Sequence, residues 1–425
     1  MHRKRRPEVT LMPKVSIILT SFNHAQFIAQ AIDSVLAQTF TDFEFIIWDD
    51  ASIDNSWEII QSYTDQRIRA FRNTRQQRGS WIINKAVAEV ACGEYLAVHH
   101  SDDLWMPDKL AKQIMYLDMH PETAAVFTGV QVINEQGNIF TQIDHPYARI
   151  FEQPNRNRHE WLRFFLENGN ALCHPSVCMR VACLKKLGGY RHGLGQLGDF
   201  DLWVRLCLRH QIYIVQEKLT AFRVLDGEKN SSAMTRRNSS AMFLNSFIIF
   251  DNYKFIRAVE DFFAMFPELK QKCEQKTIIP VQYMLAMRCY EKNYWDIGEL
   301  FGLRVLFELL QNNGAREILH RECNFSINDF IEMTKAKDVF AIRKIQALNE
   351  KINDLGRDNA NLRSQLKQQD QLFNEKKYAL ENEKNELHAL LAQSRMLLEK
   401  RDAKIHELVT KSIKEKAVPQ EMIDQ

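Results

Sequence analysis

Pairs of acidic side chains follow two of the short apolar runs in this chain, at the point where each run ends. Asp49 and Asp50 follow one run, and Asp102 and Asp103 follow another. Adjacent carboxylates repel each other, and a divalent cation offsets that repulsion because Mg²⁺ and Mn²⁺ bind carboxylate and phosphate oxygens together. An acid at a strand end also accepts hydrogen bonds from a ribose hydroxyl or a base N–H. The spacing therefore indicates a cation site and a nucleotide site, with a solvated loop as the alternative for either pair.

The elements that must position these acids alternate between strand and helix. Apolar runs predict strands at 15–19, 43–48, 68–71 and 95–98, and helical periodicity predicts helices at 25–38, at 80–90 and after a capping Ser52. This β-α-β rhythm predicts an α/β fold, a mostly parallel sheet with helices on both faces, in which ligands bind beyond the carboxyl ends of the strands. Neither G-x-x-x-x-G-K-[ST] nor G-x-G-x-x-G follows the first strand, so the P-loop and dinucleotide-binding classes lose their main support.

The composition is that of an ordinary globular protein long enough for two or three domains. The 425 residues carry 56 Lys and Arg against 54 Asp and Glu, and this formal net charge of +2 gives no support to nucleic-acid binding. No apolar run approaches the ~18 residues of a membrane span, so we expect a cytoplasmic protein. The basic cluster at 3–6, within a predicted tail 1–13, makes peripheral contact with the inner face of the membrane the alternative to a solvated tail.

Two further regions follow the α/β segment, which we place at 14–238. Residues 239–337 are rich in aromatic side chains and helical in pattern, which predicts a small helical domain. With Ile345 as the first a position, 12 of the 19 a and d positions up to Leu408 are apolar, which predicts a coiled coil over 338–415 and a tail over 416–425. A second copy of the chain is its default partner, and a single solvated helix is the alternative.

Several different short motifs follow one another along residues 14–224. They lie at 15–23, 32–40, 48–54, 84–86, 93–95, 101–103 and 198–205. In this order and spacing the motifs resemble glycosyltransferase family 2, whose members have a GT-A fold. The last motif, Gly-Asp-Phe-Asp-Leu-Trp, is similar to the family's Glu-Asp-Tyr-Asp-Leu-Trp, with Gly198 in place of the first acid.

The resemblance implies a nucleotide site at the ends of the first two predicted strands, 15–19 and 43–48. Thr20 and Phe22 match residues that line the nucleobase, and Phe22 would stack on it, where the family more often has Tyr. Asp50, together with Asp49, matches the acids that bind the base and the ribose.

The resemblance also implies a site for the diphosphate and a Mn²⁺ or Mg²⁺ ion. Asp102 and Asp103 match the family's DxD-type pair, with Asp103 as the direct metal ligand and Asp102 as a ribose or metal partner. Arg78 is assigned to the diphosphate, and Arg75 is the alternative.

Asp199 matches the family's catalytic base, which takes the proton of the acceptor hydroxyl. Without that resemblance Asp199 would be interpreted as a helix N-cap, and both roles are compatible. His99 and His100 are interpreted as packing residues of the strand end, with metal ligation as the alternative, and His174 lies in a segment near the acceptor site.

The resulting prediction is an inverting, metal-dependent glycosyltransferase. It would move a sugar from a nucleoside diphosphate donor, a UDP-sugar first among them, to a hydroxyl acceptor in cell-surface polysaccharide or glycoconjugate synthesis. The acceptor can be a saccharide, a lipid-linked molecule or a protein. A catalytically inactive GT-A scaffold that acts through its coiled coil is the alternative. A nucleotidyltransferase would need a glycine-rich phosphate loop, which residues 20–26 lack.

Overall fold

The computed structural model describes residues 12–142, 145–227, 230, 236–256, 258–272, 278–338 and 340–415, and of residues 236–239, 271–272 and 413–415 it describes the backbone alone. The chain forms two compact units that divide between residues 339 and 340. The predicted tail 416–425 and most of the predicted tail 1–13 lie outside the described residues.

A mixed sheet is the centre of the first unit. Its described strands are β1 (Val15–Ser21), β2 (Phe43–Asp49), β3 (Ile68–Arg72), β4 (Tyr95–His100), β5 (Leu104–Trp105), β6 (Thr123–Ile133), β7 (Cys178–Arg180) and β8 (Gln211–Arg223). They lie in the order β3-β2-β1-β4-β7-β6-β8-β5. Of the pairings among these described strands, four are parallel, and the three antiparallel ones all involve β5 or β7. The predicted α/β fold with a mostly parallel sheet is therefore confirmed.

Helices cover both faces of this sheet. They are α1 (Ile28–Leu36), α2 (Ser56–Gln61), α3 (Gly79–Glu89), α4 (Lys109–Met119), α5 (Arg158–Asn168), α6 (Val181–Lys186) and α7 (Gly198–Cys207). Ile17 and Leu19 of β1 pack in one apolar cluster with α1, α2 and α4, whereas Ile18 packs in another with α3, α5, α6 and α7. Because side chains alternate along a strand, a strand buried on both faces needs a continuous apolar run, as β1 has.

A set of helices follows the sheet within the first unit. They are α8 (Arg236–Phe250), α9 (Val259–Met265), α10 (Ile278–Lys292), α11 (Gly298–Gln311), α12 (Asn313–Cys323) and α13 (Ile327–Ala336). We call these helices, together with the described turns that join them, the helical region. It packs on α5 and α7: the Tyr253 hydroxyl donates a hydrogen bond of 2.8 Å to the Leu162 carbonyl, and the Asn252 amide donates one of 2.9 Å to Asp201. The predicted boundary between 238 and 239 falls inside α8, and the separation of a helical domain stays a prediction.

The described part of the second unit is one long helix, α14 (Ile342–Glu415), of 74 residues. The predicted long C-terminal helix is therefore confirmed, and its a and d residues, Leu362 and Leu366 among them, are exposed in the single chain. Its pairing into a coiled coil stays a prediction. Among the described residues, α14 and the other helices lack the run of apolar residues that a membrane crossing requires.

Candidate active site

The carboxyl ends of β1, β2 and β4 meet at one edge of the sheet. In the parallel register, Ser21 of β1 lies opposite Asp49 of β2, and Thr20 lies opposite His100 of β4. The helix α3 begins at the same edge, since a Cβ added at Gly79 would lie 3.7 Å from Thr20 Oγ1. Parallel strands with crossover helices bring their carboxyl ends together, which is why motifs far apart in sequence meet here.

The loop after β1 is held rigidly at this edge. Asn23 N donates a hydrogen bond of 2.9 Å to Ser52 Oγ, and Ala25 N donates one of 3.0 Å to Asp54 Oδ2. Asn23 has a positive φ of 55°, which asparagine tolerates better than most residues. Phe22, which directly precedes these anchors, is 37% exposed. A fixed loop with a partly exposed aromatic ring is suited to stacking on a planar ligand.

Asp49 is enclosed by the loop that follows β2. Its carboxylate accepts hydrogen bonds from the Ser52 backbone N–H, at 3.0 Å, and from the Ser52 hydroxyl, and it lies 3.4 Å from Arg72 Nε. The prediction that Ser52 caps the next helix is wrong: Ser52 binds Asp49, and α2 begins four residues later at Ser56. The predicted nucleotide contact of Asp49 stays a prediction.

Asp50 organises the loop that leads from β3 into α3. Its carboxylate accepts three hydrogen bonds of 2.8 Å, from Asn73 Nδ2, Gln77 N and Arg78 N. Arg78 has a positive φ of 81°. The side chains of Arg78 and Arg75 are both exposed. A carboxylate offers about four acceptor positions, so one position of Asp50 remains for a ligand.

Asp102 and Asp103 form the most acidic part of this edge. Asp103 is 1% exposed, and its Oδ1 accepts a hydrogen bond of 2.8 Å from Arg223 N. Its Oδ2 is buried and has no hydrogen-bond partner among the described residues. Burial, together with the nearby charge of Asp102, raises the pKa of the Asp103 carboxyl well above its ordinary value. One ligand atom each from His100, Asp102 and Asp103 lie within 4.8 Å of one another, an arrangement that fits a divalent cation.

The two histidines at the end of β4 have different surroundings. The His99 ring is buried and lies 4.4 Å from the Trp105 ring, as a packing residue would. His100 Nε2 lies 3.2 Å from His174 Nδ1, and His174 Nε2 lies 2.8 Å from the Tyr190 hydroxyl. Burial lowers the pKa of His174, which keeps its ring neutral. A hydrogen-bonded chain thus runs from the acidic cluster to the loop before α7.

Asp199 lies in the first turn of α7 with neutral hydrogen-bond partners. Its Oδ2 accepts a hydrogen bond of 3.0 Å from Asn170 Nδ2, and its Oδ1 accepts one of 2.7 Å from Phe200 N. Burial raises the pKa of Asp199 to about 6. The N-cap interpretation is wrong, because α7 begins at Gly198 and its N-cap residue is Leu197.

Asp199 belongs to the same edge as Thr20 and Asp103. A Cβ added at Gly198 would lie 3.9 Å from Ser80 Cβ, so α7 begins beside the first turn of α3. Burial raises the pKa of the Cys173 thiol, and the charges of both Asp103 and Asp199 raise it further. The structure thus brings the predicted nucleotide, metal and catalytic positions together.

Three residues of this edge were missed by sequence reasoning. Asn73, Asn170 and Arg223 hold Asp50, Asp199 and the Asp102–Asp103 turn, respectively. Each acts from a different loop or strand end, and no local pattern marks it. Only the fold reveals these partners.

Comparisons with known proteins agree with this arrangement. The family model described as glycosyl transferase family 2 matches residues 16–183. An uncharacterized glycosyltransferase of Rickettsia typhi is 30% identical over 230 residues, which cover 53% of this chain and 69% of the relative. The O-antigen biosynthesis glycosyltransferase WbnJ of Escherichia coli is 26% identical over 246 residues, which cover 56% of this chain and 90% of WbnJ. This chain belongs to glycosyltransferase family 2, and that membership supports a role in glycosyl transfer.

A solved structure has the same fold. The crystal structure of residues 1–349 of S. aureus TarS, in complex with UDP-GlcNAc, matches 76% of this chain and 91% of that chain with a TM-score of 0.50 and 16% identity. The similarity confirms the GT-A fold.

Proposed function

We propose that this protein is an inverting, metal-dependent glycosyltransferase that transfers a sugar from a nucleoside diphosphate donor to a hydroxyl group. The observation that carries the proposal is the convergence of Thr20, Asp103 and Asp199 at one sheet edge of a family 2 fold. A UDP-sugar is the first donor to test, because UDP-GlcNAc is what the structurally similar TarS holds.

The nucleotide would bind along the ends of β1 and β2. Phe22 would stack on the base, Thr20 would line it, and the remaining acceptor position of Asp50 would take a base N–H or a ribose hydroxyl. Asp49 would act through the loop that it fixes, and Arg78 would reach the diphosphate from the loop that Asp50 fixes.

Asp102 and Asp103 would hold a Mn²⁺ or Mg²⁺ ion beside the diphosphate. The buried Asp103 Oδ2 has no hydrogen-bond partner among the described residues, and it fits this role because a buried carboxylate oxygen without a hydrogen bond is costly unless a cation binds it. The ion would supply charge neutralisation for the nucleoside diphosphate as it leaves. Asp102, which is less buried, remains accessible to the ribose or the ion.

Asp199 would take the proton of the acceptor hydroxyl as that oxygen attacks the anomeric carbon. Because its pKa is about 6, the carboxylate is mostly ionised at neutral pH and is still a useful base. Attack opposite the leaving diphosphate inverts the anomeric configuration, and the sugar passes through an oxocarbenium-like state. Asn170 would hold the carboxylate in place.

The acceptor is proposed to be a saccharide, a lipid-linked molecule or a protein in cell-surface polysaccharide or glycoconjugate synthesis. The name of WbnJ, an O-antigen biosynthesis enzyme, supports this setting. The helix α14 would join two copies of the chain through residues 338–415. The second candidate function is a catalytically inactive scaffold that acts through this helix, and the exposed apolar residues of α14 would serve that function as well.

The two candidates differ in nucleotide-sugar turnover. The purified full chain would be incubated with Mn²⁺ or Mg²⁺, mixed acceptors and a panel of UDP-, GDP- and dTDP-sugars, beside Asp103→Ala, Asp199→Ala and the exposed control Asp42→Ala. We expect metal-dependent release of one nucleoside diphosphate, lost in the first two variants and kept in the third. The anomeric configuration of the product, read by NMR, tests inversion. Absence of turnover together with absence of metal-dependent nucleotide binding in calorimetry would favour the scaffold.

A further inference from the structure

A strained turn of the helical region lies between α10 and α11. Asn293, Trp295 and Asp296 have positive φ values of 46°, 60° and 56°. Non-glycine residues in this conformation are strained, and such residues persist where surrounding contacts hold them. Tyr294 supplies one such contact, because its hydroxyl donates a hydrogen bond of 3.3 Å to Glu167 at the end of α5. The turn places Trp295 against the end of α5 and the first turn of α7.

Trp295 packs on Phe200 of α7 and on Gly169, the residue that follows α5. Its ring stacks on the Phe200 ring with a centroid distance of 5.6 Å and an interplanar angle of 11°. The indole also contacts Gly169, where an added Cβ would overlap the ring and where φ is +87°. Position 169 therefore accepts only glycine as long as Trp295 keeps this place.

Both contacts lie next to the hydrogen-bonded pair of the candidate active site. Phe200 directly follows Asp199, Gly169 directly precedes Asn170, and Asn170 Nδ2 donates to Asp199 Oδ2 at 3.0 Å. We propose that Trp295 is a positioning residue for Asp199, which clamps the two backbone segments of this pair and limits the access of water to the carboxylate. This inference rests on the proposed role of Asp199 as the base.

Burial is the largest cause of the raised pKa of Asp199. Among the described residues, Cys173 and Tyr190 are titratable groups whose pKa burial raises, so that they stay neutral, and whose pKa the charge of Asp199 raises further. From α5 and α10, Glu167 and Arg288 pair with each other at 3.0 Å. Burial outweighs the opposing hydrogen bonds from Asn170 and Phe200 in setting the pKa of Asp199. Loss of the indole would therefore hydrate Asp199 and lower its pKa toward the ordinary range, even where the hydrogen bond from Asn170 is weakened as well.

The test compares Trp295→Ala and Trp295→Phe with Phe307→Ala, an exposed aromatic of α11 in the same helical region. The protonation midpoint of Asp199 is read directly by carboxyl ¹³C NMR, with Asp199→Asn identifying the signal. We expect the midpoint to fall by about one pH unit in Trp295→Ala, to stay near the wild-type value in Trp295→Phe, and to be unchanged in Phe307→Ala. Donor turnover at pH 7.5 should fall about tenfold in Trp295→Ala, as misplaced catalytic groups do.

A Trp295→Ala chain that melts cooperatively and keeps the wild-type midpoint overturns the inference. If that variant does not melt cooperatively, Trp295→Leu replaces it, because leucine keeps apolar volume without the flat ring. Failure of the proposed function has a different result: Asp199→Asn would then keep its turnover, while the NMR midpoint would still report whether Trp295 controls this carboxyl.

Discussion

Asp199 and Asp201 lie two residues apart in the first turn of α7 and have opposite surroundings. Asp201 is 0% exposed, lies 2.7 Å from Arg205 Nε and 3.1 Å from an Arg191 nitrogen, and is thereby neutralised. Asp199 instead has the neutral Asn170 amide as its side-chain partner among the described residues. Asp201 is held in ion pairs that stabilise the fold, whereas Asp199 retains a carboxylate that can exchange a proton.

The pH dependence of turnover should follow the ionisation of Asp199. Burial raises its pKa to about 6, so the base is protonated below that pH and turnover should fall about tenfold per pH unit on the acid side. Asp199→Asn should lower kcat by about 10²–10⁴ and leave donor affinity unchanged. In Asn170→Ala the midpoint should move to higher pH, because a hydrogen bond that favours the charged form is lost. Steady-state rates between pH 5 and 9 check all three expectations, and a flat profile in the wild type contradicts the assignment of Asp199 as the titrating base.

The two acids should also differ in their effect on stability. The folded-state pKa of Asp199 is raised above the ordinary 3.8, so its ionisation costs stability, a cost that is absent below about pH 4 and complete above about pH 6. Asp199→Asn should therefore raise the free energy of unfolding at pH 7.5 by about 1–3 kcal/mol. Asp201→Ala leaves Arg205 buried and unpaired and should lower it by about 3–5 kcal/mol. Urea unfolding measures both, and equal effects of the two variants would refute the distinction.

The sequence predicted the parallel strands β1 to β4 because their apolar runs are short and nearly continuous, whereas the longer parallel pair β6 and β8 was not predicted. β1 and β4 were predicted from such runs, and both lie at the centre of the sheet. The short antiparallel strands β5 and β7 were not predicted either, because a strand of two or three residues shows no periodicity. They are stabilised by pairing with neighbours that come from distant parts of the chain.

The predicted site residues were located by their position at strand ends, whereas their partners were not. Asp50, Asp102 and Asp103 could be chosen because acids follow apolar runs. The residues that hold them, Asn73 and Arg223, depend on loop geometry that no spacing rule encodes. Trp295 is a similar case, because its contact with Phe200, the residue after Asp199, follows from how the helical region packs on α7.

Removal of Asp103 should abolish stabilisation by divalent cations. A ligand that binds only the folded chain stabilises it by about 2.7 kcal/mol at one hundred times its Kd. Mn²⁺ at such concentrations should raise the Tm of the wild type and of the exposed control Asp42→Asn, and leave that of Asp103→Asn unchanged. Thermal unfolding with and without EDTA measures the effect. A cation-dependent shift that persists in Asp103→Asn would exclude Asp103 as the ligand.

Arg78 and Arg75 provide a matched pair for the diphosphate. Both are exposed on the loop that Asp50 fixes, and each variant removes the same charge. A charge-assisted hydrogen bond to phosphate is worth about 1.5–3 kcal/mol, so Arg78→Ala should weaken UDP binding at least about tenfold, whereas Arg75→Ala should have little effect. Calorimetric titration with UDP in the presence of Mn²⁺ gives both affinities. A larger loss in Arg75→Ala would reverse the assignment.

The apolar seam of α14 should hold two chains together. Leu362 and Leu366 occupy d and a positions next to the polar a residue Asn359, and both leucines are exposed in the single chain. A buried leucine contributes about 1.5–3 kcal/mol, so Leu362→Lys with Leu366→Lys should convert the assembly to monomers at micromolar concentration. Ser364→Lys with Gln368→Lys adds the same charge on the opposite face of the helix and should leave the assembly intact. Sedimentation velocity distinguishes these states, and a monomeric wild type would show that α14 binds a different partner.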